Sequence, residues 1–129
     1  MKLAIKTLPS FNPAHYTFHG GTEDIDNFTD DATLGNDVFC GFGGDDLIFA
    51  LDEGDIFLGG AGNDFVVWEN FGTFYGGADN DRVEHNRGTF YGEEGGDEVF
   101  NNFPGATFYG GGGTDAVIFN YTGATFVQD

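Results

Sequence analysis

The sequence is poor in basic residues, in cysteine and in long apolar runs. It has 4 Lys and Arg against 22 Asp and Glu, which gives a formal net charge of -18. Such an acidic chain argues against nucleic acid and anionic membranes as partners, because both are bound through Lys and Arg surfaces. No apolar run approaches the ~20 residues of a membrane-spanning helix. Because Cys40 is the single cysteine, an internal disulfide is excluded.

Signatures of catalysis and of transition-metal binding are also missing. The sequence has no Ser/His/Asp arrangement and no phosphate-binding loop, so we expect no enzyme in this chain. His15 and His19 lie in a Pro-flanked stretch where a cap or turn role is expected, and His85 has no second ligand near it. Cys40 lacks a basic neighbour that would activate its thiol.

Glycine and phenylalanine, in contrast, are abundant and recur at regular intervals. The chain has 23 Gly and 16 Phe. One set of Phe residues recurs every 16 to 18 positions, namely Phe39, Phe57, Phe74, Phe90, Phe108 and Phe126. A Gly-rich block that ends in Asp follows each of the first five. Two positions after each Asp stands an apolar residue: Ile48, Val66, Val83, Val99 or Val117. A fixed period of this kind predicts a repeat architecture.

The spacing within one repeat predicts two short strands joined by tight turns. Because side chains of a strand alternate between its faces, the Phe column and the Ile/Val column can both point into one core. Stacked in parallel about 4.8 Å apart, such coils form a solenoid. We therefore predict an all-β, right-handed parallel β-roll of about five to six coils of 16–18 residues. Residues 1–18 are predicted to be an N-terminal cap and residues 19–129 a single repeat domain, whose first, irregular coil has Gly20 to Asp24 as a shortened repeat.

Stacking the coils places one aspartate of each Gly-rich turn in a single row. Its members are Asp46, Asp64, Asp81, Asp97 and Asp115. Two charges about 5 Å apart at an effective dielectric near 20 repel by roughly 3 kcal/mol, so the row must either take up protons or hold cations. Calcium fits, since it takes several oxygen ligands and accepts backbone carbonyls. Zinc and copper fit poorly, because the row contains no His or Cys.

The turns follow the nine-residue pattern G-G-x-G-x-D-x-U-x, where U is a large apolar residue, and the segment from Gly59 to Val67 matches every position. The chain therefore resembles the repeats-in-toxin (RTX) family of calcium-binding β-rolls over about residues 35–126. The resemblance implies that calcium lies between successive coils, held by the five row carboxylates. It also implies ligands in the turns, at Gly41, Gly43, Gly59, Ala61, Gly76, Ala78, Gly92, Glu94, Gly110 and Gly112. About four to six ions are expected, and an extracellular, secreted protein is implied.

The opposite edge of the solenoid differs along the chain. Asp37 and Asp55 belong to it and are predicted to flank one further ion. After Trp68 the corresponding turns keep Asn and Gly but have no Asp, so we expect no ions there.

The outward side of the Phe-bearing strands carries hydroxyl groups in regular rows, made up of Thr73, Thr89, Thr107 and Thr125 beside Tyr75, Tyr91 and Tyr109. Thr and Tyr are common on exposed strand faces, so the rows are first interpreted as β-propensity. The alternative is a free-standing adhesion or ice-binding protein that uses this face for ice, for a glycan or for a protein partner.

Overall fold

A computed structural model describes residues 16–28 and 36–128. These residues form strands arranged in two sheets. The first sheet contains β1 (Tyr16–Gly20), β3 (Asn36–Gly43), β5 (Ile56–Ala61), β7 (Thr73–Ala78), β9 (Thr89–Glu94), β11 (Thr107–Gly112) and β13 (Thr125–Val127). The second sheet contains β2 (Asn27–Phe28), β4 (Leu47–Leu51), β6 (Phe65–Asn70), β8 (Arg82–Asn86), β10 (Glu98–Asn102) and β12 (Ala116–Asn120).

Every strand pair in both sheets is parallel, and the chain alternates between the sheets as it advances. One strand in each sheet makes up one coil, so the predicted all-β parallel solenoid is confirmed, and its about six coils agree with the predicted five to six. The described residues form no helix, and therefore none of the kind that could cross a membrane.

The core consists of the two predicted columns. Phe39, Phe57, Phe74, Phe90 and Phe108 are at most 1% exposed, and they are in register across the first sheet. Rings from Phe57 to Phe126 stack with centroids 4.7 to 5.0 Å apart. Opposite them, Ile48, Val66, Val83 and Val99 are fully buried. Burial of each such side chain contributes about 1.5–3 kcal/mol, and each stacked aromatic pair adds about 0.5–1.5 kcal/mol.

The N-terminal boundary of the repeats lies at β1, which begins at Tyr16 among the described residues. Most of the predicted cap, residues 1–18, lies outside the described residues. Its last three residues, from Tyr16 to Phe18, belong to β1 and pair with β3. His19 continues the Phe column, where its ring stacks on Phe39 at 4.5 Å, and its Nε2 lies 2.8 Å from Asp37 Oδ1. His15 lies outside the described residues.

Backbone conformation explains the glycine pattern of the turns. The second and fourth positions of each Gly-rich turn have positive φ, at Phe42, Gly44, Gly60, Gly62, Gly77, Asp79, Glu93, Gly95, Gly111 and Gly113. Seven of these ten residues are Gly, which adopts this conformation without the steric cost of a Cβ. Phe42, Asp79 and Glu93 bear that cost, with φ of 72°, 81° and 76°.

Replacing Glu93 with Gly tests this explanation. We expect Glu93→Gly to stabilise the fold by about 1 kcal/mol, because it relieves a left-handed conformation that is unfavourable for residues with a Cβ. Glu94→Gly is the matched control, since Glu94 is the adjacent acid and does not have positive φ. It should lower stability through chain entropy. Thermal unfolding of both variants in calcium provides the measurement, and a lower melting temperature for Glu93→Gly would contradict the explanation.

Candidate metal site

The row aspartates are buried in the turns that lead from the first sheet into the second. Asp46, Asp64, Asp81 and Asp97 are at most 1% exposed, and Asp115 is 8% exposed. The predicted row is therefore present, with one carboxylate from each coil. Its members are inside the molecule rather than on a solvated acidic face.

One oxygen of each row carboxylate holds two coils together. Its Oδ1 accepts a hydrogen bond from the backbone N–H of the row aspartate in the preceding coil. The donor–acceptor pairs are Asp26–Asp46, Asp46–Asp64, Asp64–Asp81, Asp81–Asp97 and Asp97–Asp115, at 2.8 to 2.9 Å. A hydrogen bond contributes about 0.5–1.5 kcal/mol, and more when its acceptor is ionised, so these bonds stabilise the stacking of the coils along this edge.

The second oxygen has no hydrogen-bond partner in the four inner members, which are Asp46, Asp64, Asp81 and Asp97. Each of these Oδ2 atoms lies beside the first Gly of its own turn. A Cβ built on Gly59 would meet both Asp64 Oδ2 and the carbonyl oxygen of Gly76 in the next coil. Gly41, Gly76 and Gly92 are each bordered in the same way, by the Oδ2 of the row aspartate in their own turn and by the carbonyl oxygen of the first Gly in the next coil. A carboxylate oxygen and a carbonyl oxygen therefore border the same small space between two successive coils, and the carboxylate oxygen has no hydrogen-bond donor there.

The two ends of the row differ from its middle. At the N-terminal end, Asp26 Oδ2 accepts hydrogen bonds from the backbone N–H and the hydroxyl of Thr22. At the C-terminal end, Gln128 Nε2 donates to Asp115 Oδ2 at 2.7 Å, and Gln128 Oε1 accepts the N–H of Asp115. Among the row members that the structure describes, only the four inner carboxylates therefore keep an oxygen without a partner.

Asp26 is a member of the row that the shortened repeat from Gly20 to Asp24 did not identify. A Cβ on Gly21 would meet Asp26 Oδ2 and the carbonyl oxygen of Cys40, so Gly21 and Asp26 stand where Gly41 and Asp46 stand one coil later. The signal was present in the sequence, because both pairs have a spacing of five residues. Asp24 is exposed and outside the row.

Burial makes ionisation of the inner carboxyls unfavourable. Desolvation, followed by the charges of neighbouring acids, raises the pKa of Asp64 from 3.8 to about 7 and that of Asp81 to about 9. Desolvation also raises the pKa of Asp46 and of Asp97 to about 6. Each of these carboxyls therefore holds its proton to a higher pH than a solvent-exposed aspartate does, and a bound cation would favour its ionised form.

The turn residues that the resemblance implied as ligands form two sets. Gly59, Gly76, Gly92 and Gly110 present their carbonyl oxygens 2.5 to 2.9 Å from the Cβ position of the preceding turn's first Gly, next to the unpaired Oδ2. Gly41 is the first Gly of the Asp46 turn, in the coil before Gly59. The other set, Gly43, Ala61, Ala78, Glu94 and Gly112, forms one register column of the first sheet. The carbonyls of Ala78 and Gly112 accept N–H groups of Gly62 and Gly95 at 3.3 and 3.0 Å.

The second edge has different chemistry. Asp55 uses both oxygens to accept backbone N–H groups, those of Asp37 and Asp52, each at 2.9 Å. Asp37 Oδ1 lies 2.8 Å from His19 Nε2. These contacts leave no orphaned oxygen on Asp55, so the geometry gives no support for an ion between Asp37 and Asp55.

Further along this edge, buried asparagines replace the acids. Asn70, Asn86 and Asn102 each donate from Nδ2 to the Oδ1 of the next asparagine, at 2.8 to 3.0 Å, and the ladder ends at Asn120. The same Nδ2 groups also donate to the carbonyls of Thr89, Thr107 and Thr125. The asparagine part of this edge is neutral and needs no ion. The sequence showed the Asn residues but did not identify the ladder.

The donor set of the inner row fits a hard divalent cation. Among residues 16–28 and 36–128, no three His, Cys, Asp or Glu side chains converge into a metal-binding group. A cation here would combine carboxylate Oδ2 atoms with turn carbonyls, an all-oxygen set that calcium accepts. Asp46, Asp64, Asp81 and Asp97, with the facing carbonyls of Gly59, Gly76, Gly92 and Gly110, are the residues that would hold it.

Comparison of the chain with protein-family models, with curated proteins and with solved structures finds no match.

The raised pKa values predict how pH affects the calcium-free protein. Because the inner carboxyls bind protons more tightly when folded, folding takes up protons between the ordinary pKa of 3.8 and the raised value of about 9. The contribution of these carboxyls to stability should therefore be greatest below their ordinary pKa of 3.8 and decrease as pH rises toward the raised pKa values. Melting temperatures in a chelator at pH 5 and pH 8 test this. Saturating calcium should remove the trend, and a chelated chain that melts higher at pH 8 would refute it.

Proposed function

We propose that this chain is a calcium-binding structural module, whose coils are joined by ions along one edge. The observation that carries the proposal is the set of four buried Oδ2 atoms without a hydrogen-bond partner, each beside a carbonyl oxygen of the next coil. A buried, unpaired charged oxygen costs several kcal/mol, so four of them together are comparable with the whole stability of a small domain, about 5–15 kcal/mol.

Calcium is favoured over other cations because the available ligands are all oxygen atoms and because it tolerates irregular coordination geometry. Magnesium demands near-octahedral geometry and retains its waters, which suits a buried gap between stacked coils poorly. Zinc and copper prefer nitrogen and sulfur ligands, and Cys40 and the described histidines lie outside the inner row. A proton can replace the ion only where pH is low enough for the carboxyl to remain neutral.

The stoichiometry follows from the ends of the row. Four inner carboxylates have a free oxygen, whereas Asp26 and Asp115 are satisfied by Thr22 and Gln128. We therefore expect about four ions on this edge. The asparagine ladder should hold the other edge without ions.

Coupling of ion binding to folding would follow from the position of the ions. Each ion would connect two successive coils, so a site is complete only when both coils are in place. Without calcium, the ionised carboxylates of the row repel one another, in a chain whose net charge is already -18. By the RTX resemblance, the module would belong to a secreted protein that stays unfolded where calcium is scarce and folds outside the cell.

A second candidate function is supported by the outward face of the first sheet. Thr73, Thr89, Thr107 and Thr125 are in register on that face. Tyr75, Tyr91 and Tyr109 stack beside them, with centroids 4.8 and 4.9 Å apart. A regular row of hydroxyls could order water at an ice surface or bind a glycan. The stacked Tyr rings expose their edges rather than their faces, which favours contacts through hydroxyl groups. Thermal hysteresis of the calcium-loaded protein distinguishes ice binding from the purely structural role.

Replacing Asp64 with Asn tests the calcium proposal. The amide keeps an acceptor for the N–H of Asp46, and it places a neutral donor beside the carbonyl of Gly76. Asp64→Asn should therefore bind at least one calcium ion fewer than the wild type. It should also melt at a higher temperature than the wild type in chelator at pH 8, because one buried charge is gone. Calorimetric titration and thermal unfolding measure the two effects.

Asn86→Ala is the control on the ion-free edge. It leaves a donor on Asn70 and an acceptor on Asn102 without partners, at a cost of about 1–3 kcal/mol for each buried group. It should lower stability and leave the number of bound calcium ions unchanged. The proposal fails if wild type and Asp64→Asn bind equal numbers of ions, or if neither binds any.

A further inference from the structure

Two of the Gly-rich turns carry an additional acid whose side chain contacts a neighbouring coil. Asp45 Oδ1 accepts the backbone N–H of Asn63 at 2.8 Å, and Asp79 Oδ2 accepts that of Gly62 at 3.2 Å. Both donors belong to the turn that ends at Asp64, which lies between the turns of the two acids. Asp45 and Asp79, which we call the bridging acids, thus connect successive coils on the exposed side of the turns.

Asp79 occupies a position that the repeat otherwise gives to glycine. The fourth residue of the other four turns is Gly44, Gly62, Gly95 or Gly113. Asp79 has a φ of 81°, and this left-handed conformation is unfavourable for a residue with a Cβ. Residues held in such conformations cluster at ligand-binding sites, so the acid indicates a role beyond forming the turn.

The two gaps that the bridging acids span also contain unpaired carboxylate oxygens. Asp46 Oδ2, beside the carbonyl oxygen of Gly59, lies in the first gap, and Asp64 Oδ2, beside that of Gly76, lies in the second. Both row aspartates are at most 1% exposed. Each of these gaps therefore combines a buried, unpaired carboxylate oxygen with a second carboxylate at its exposed side.

The charges of the bridging acids act on the row carboxyls of the same gaps. Desolvation is the largest cause that raises the pKa of Asp46 and of Asp64. Among the neighbouring charges that raise these pKa values further are Asp45 for the first and Asp79 for the second. Two like charges beside one small space favour a divalent cation there, because the ion interacts with both of them.

The two later gaps, which contain the unpaired oxygens of Asp81 and Asp97, are bridged differently. In the first of them the bridge is a neutral amide, since Asn80 Oδ1 accepts the backbone N–H of Gly96 at 2.6 Å. In the second, no acidic side chain outside the row bonds across the gap within the part of the chain that the structure describes. The later gaps therefore lack a bridging carboxylate.

We propose that Asp45 and Asp79 each supply a second carboxylate to one calcium site, so that the four sites form two classes. This inference rests on the proposed function, because it assumes that ions bind in the gaps. The two gaps with a bridging acid bind calcium tightly, and the two later gaps bind it more weakly, since calcium affinity depends on the number of charged ligands. Calcium therefore joins the earlier coils at concentrations at which the later gaps are still empty.

The number of tightly bound ions tests this proposal. Titration of the wild-type chain with calcium against a chromophoric chelator should give two tight and two weaker sites, whose dissociation constants differ at least about tenfold. Asp45→Asn and Asp79→Asn keep an oxygen acceptor for the bridging hydrogen bond and remove only the charge. Each variant should retain one tight site, and the double variant should retain none. Circular dichroism in saturating calcium checks that the variants are folded.

Glu93→Gln is the matched control. Glu93 is also an exposed acid with positive φ in a Gly-rich turn, but its side chain forms no hydrogen bond across a gap among the described residues. This variant should keep both tight sites. Four equivalent sites in the wild type overturn the proposal, as do two tight sites in Asp45→Asn and Asp79→Asn or the loss of one in Glu93→Gln. In those cases the proposed function stands, whereas a wild type that binds no calcium contradicts both.

Discussion

The structure depends on a row of buried carboxylates, each of which has one oxygen bonded and one oxygen unpaired. The bonded oxygen receives an N–H from the preceding coil, so removal of the aspartates would loosen the stack. The unpaired oxygen makes the same residue unfavourable when it is charged. An aspartate is therefore suited to this position only if something neutralises it. Under the calcium proposal, the same residue would connect two coils and bind the cation.

The two edges of the solenoid connect successive coils through different side chains. At one edge, each carboxylate accepts a backbone N–H with its Oδ1, and the four inner members keep an unpaired Oδ2. At the other, carboxamides supply both donor and acceptor, and the asparagine ladder is complete from Asn70 to Asn120 except for its first acceptor oxygen, on Asn70. The asparagine ladder contains no ionisable group, whereas burial makes the ionised form of the row carboxyls unfavourable.

The sequence was sufficient for the architecture because its period is short and its core columns are regular. Phe57, Phe74 and Phe90 repeat with the strand, so their register could be predicted from spacing alone. The sequence also predicted which aspartates form the row. It did not predict Asp26, because Asp24 in a shortened repeat competes for the same assignment. The cap formed by Gln128 was missed for a different reason. It stands 13 residues after Asp115, whereas the repeat is 16 to 18 residues long, so no periodic pattern identifies it.

The roles of individual oxygen atoms could not be predicted, because they depend on distances between coils. Spacing gives a row of carboxylates but does not show that Oδ1 is bonded and Oδ2 is not. Spacing also does not show why position 59 requires glycine. The reason is that Asp64 Oδ2 and the carbonyl oxygen of Gly76 occupy the space that a Cβ would take.

The most direct test of the account is the melting temperature of the wild-type chain at pH 7.5, with a chelator and with saturating calcium. Ligand at 100 times its dissociation constant stabilises a fold by about 2.7 kcal/mol per site, so four sites would contribute about 11 kcal/mol. We expect the chelated chain to lose its parallel β-structure by circular dichroism or to melt tens of degrees lower, and we expect calcium to restore the fold where magnesium does not. An unchanged spectrum and melting temperature after removal of calcium would contradict it.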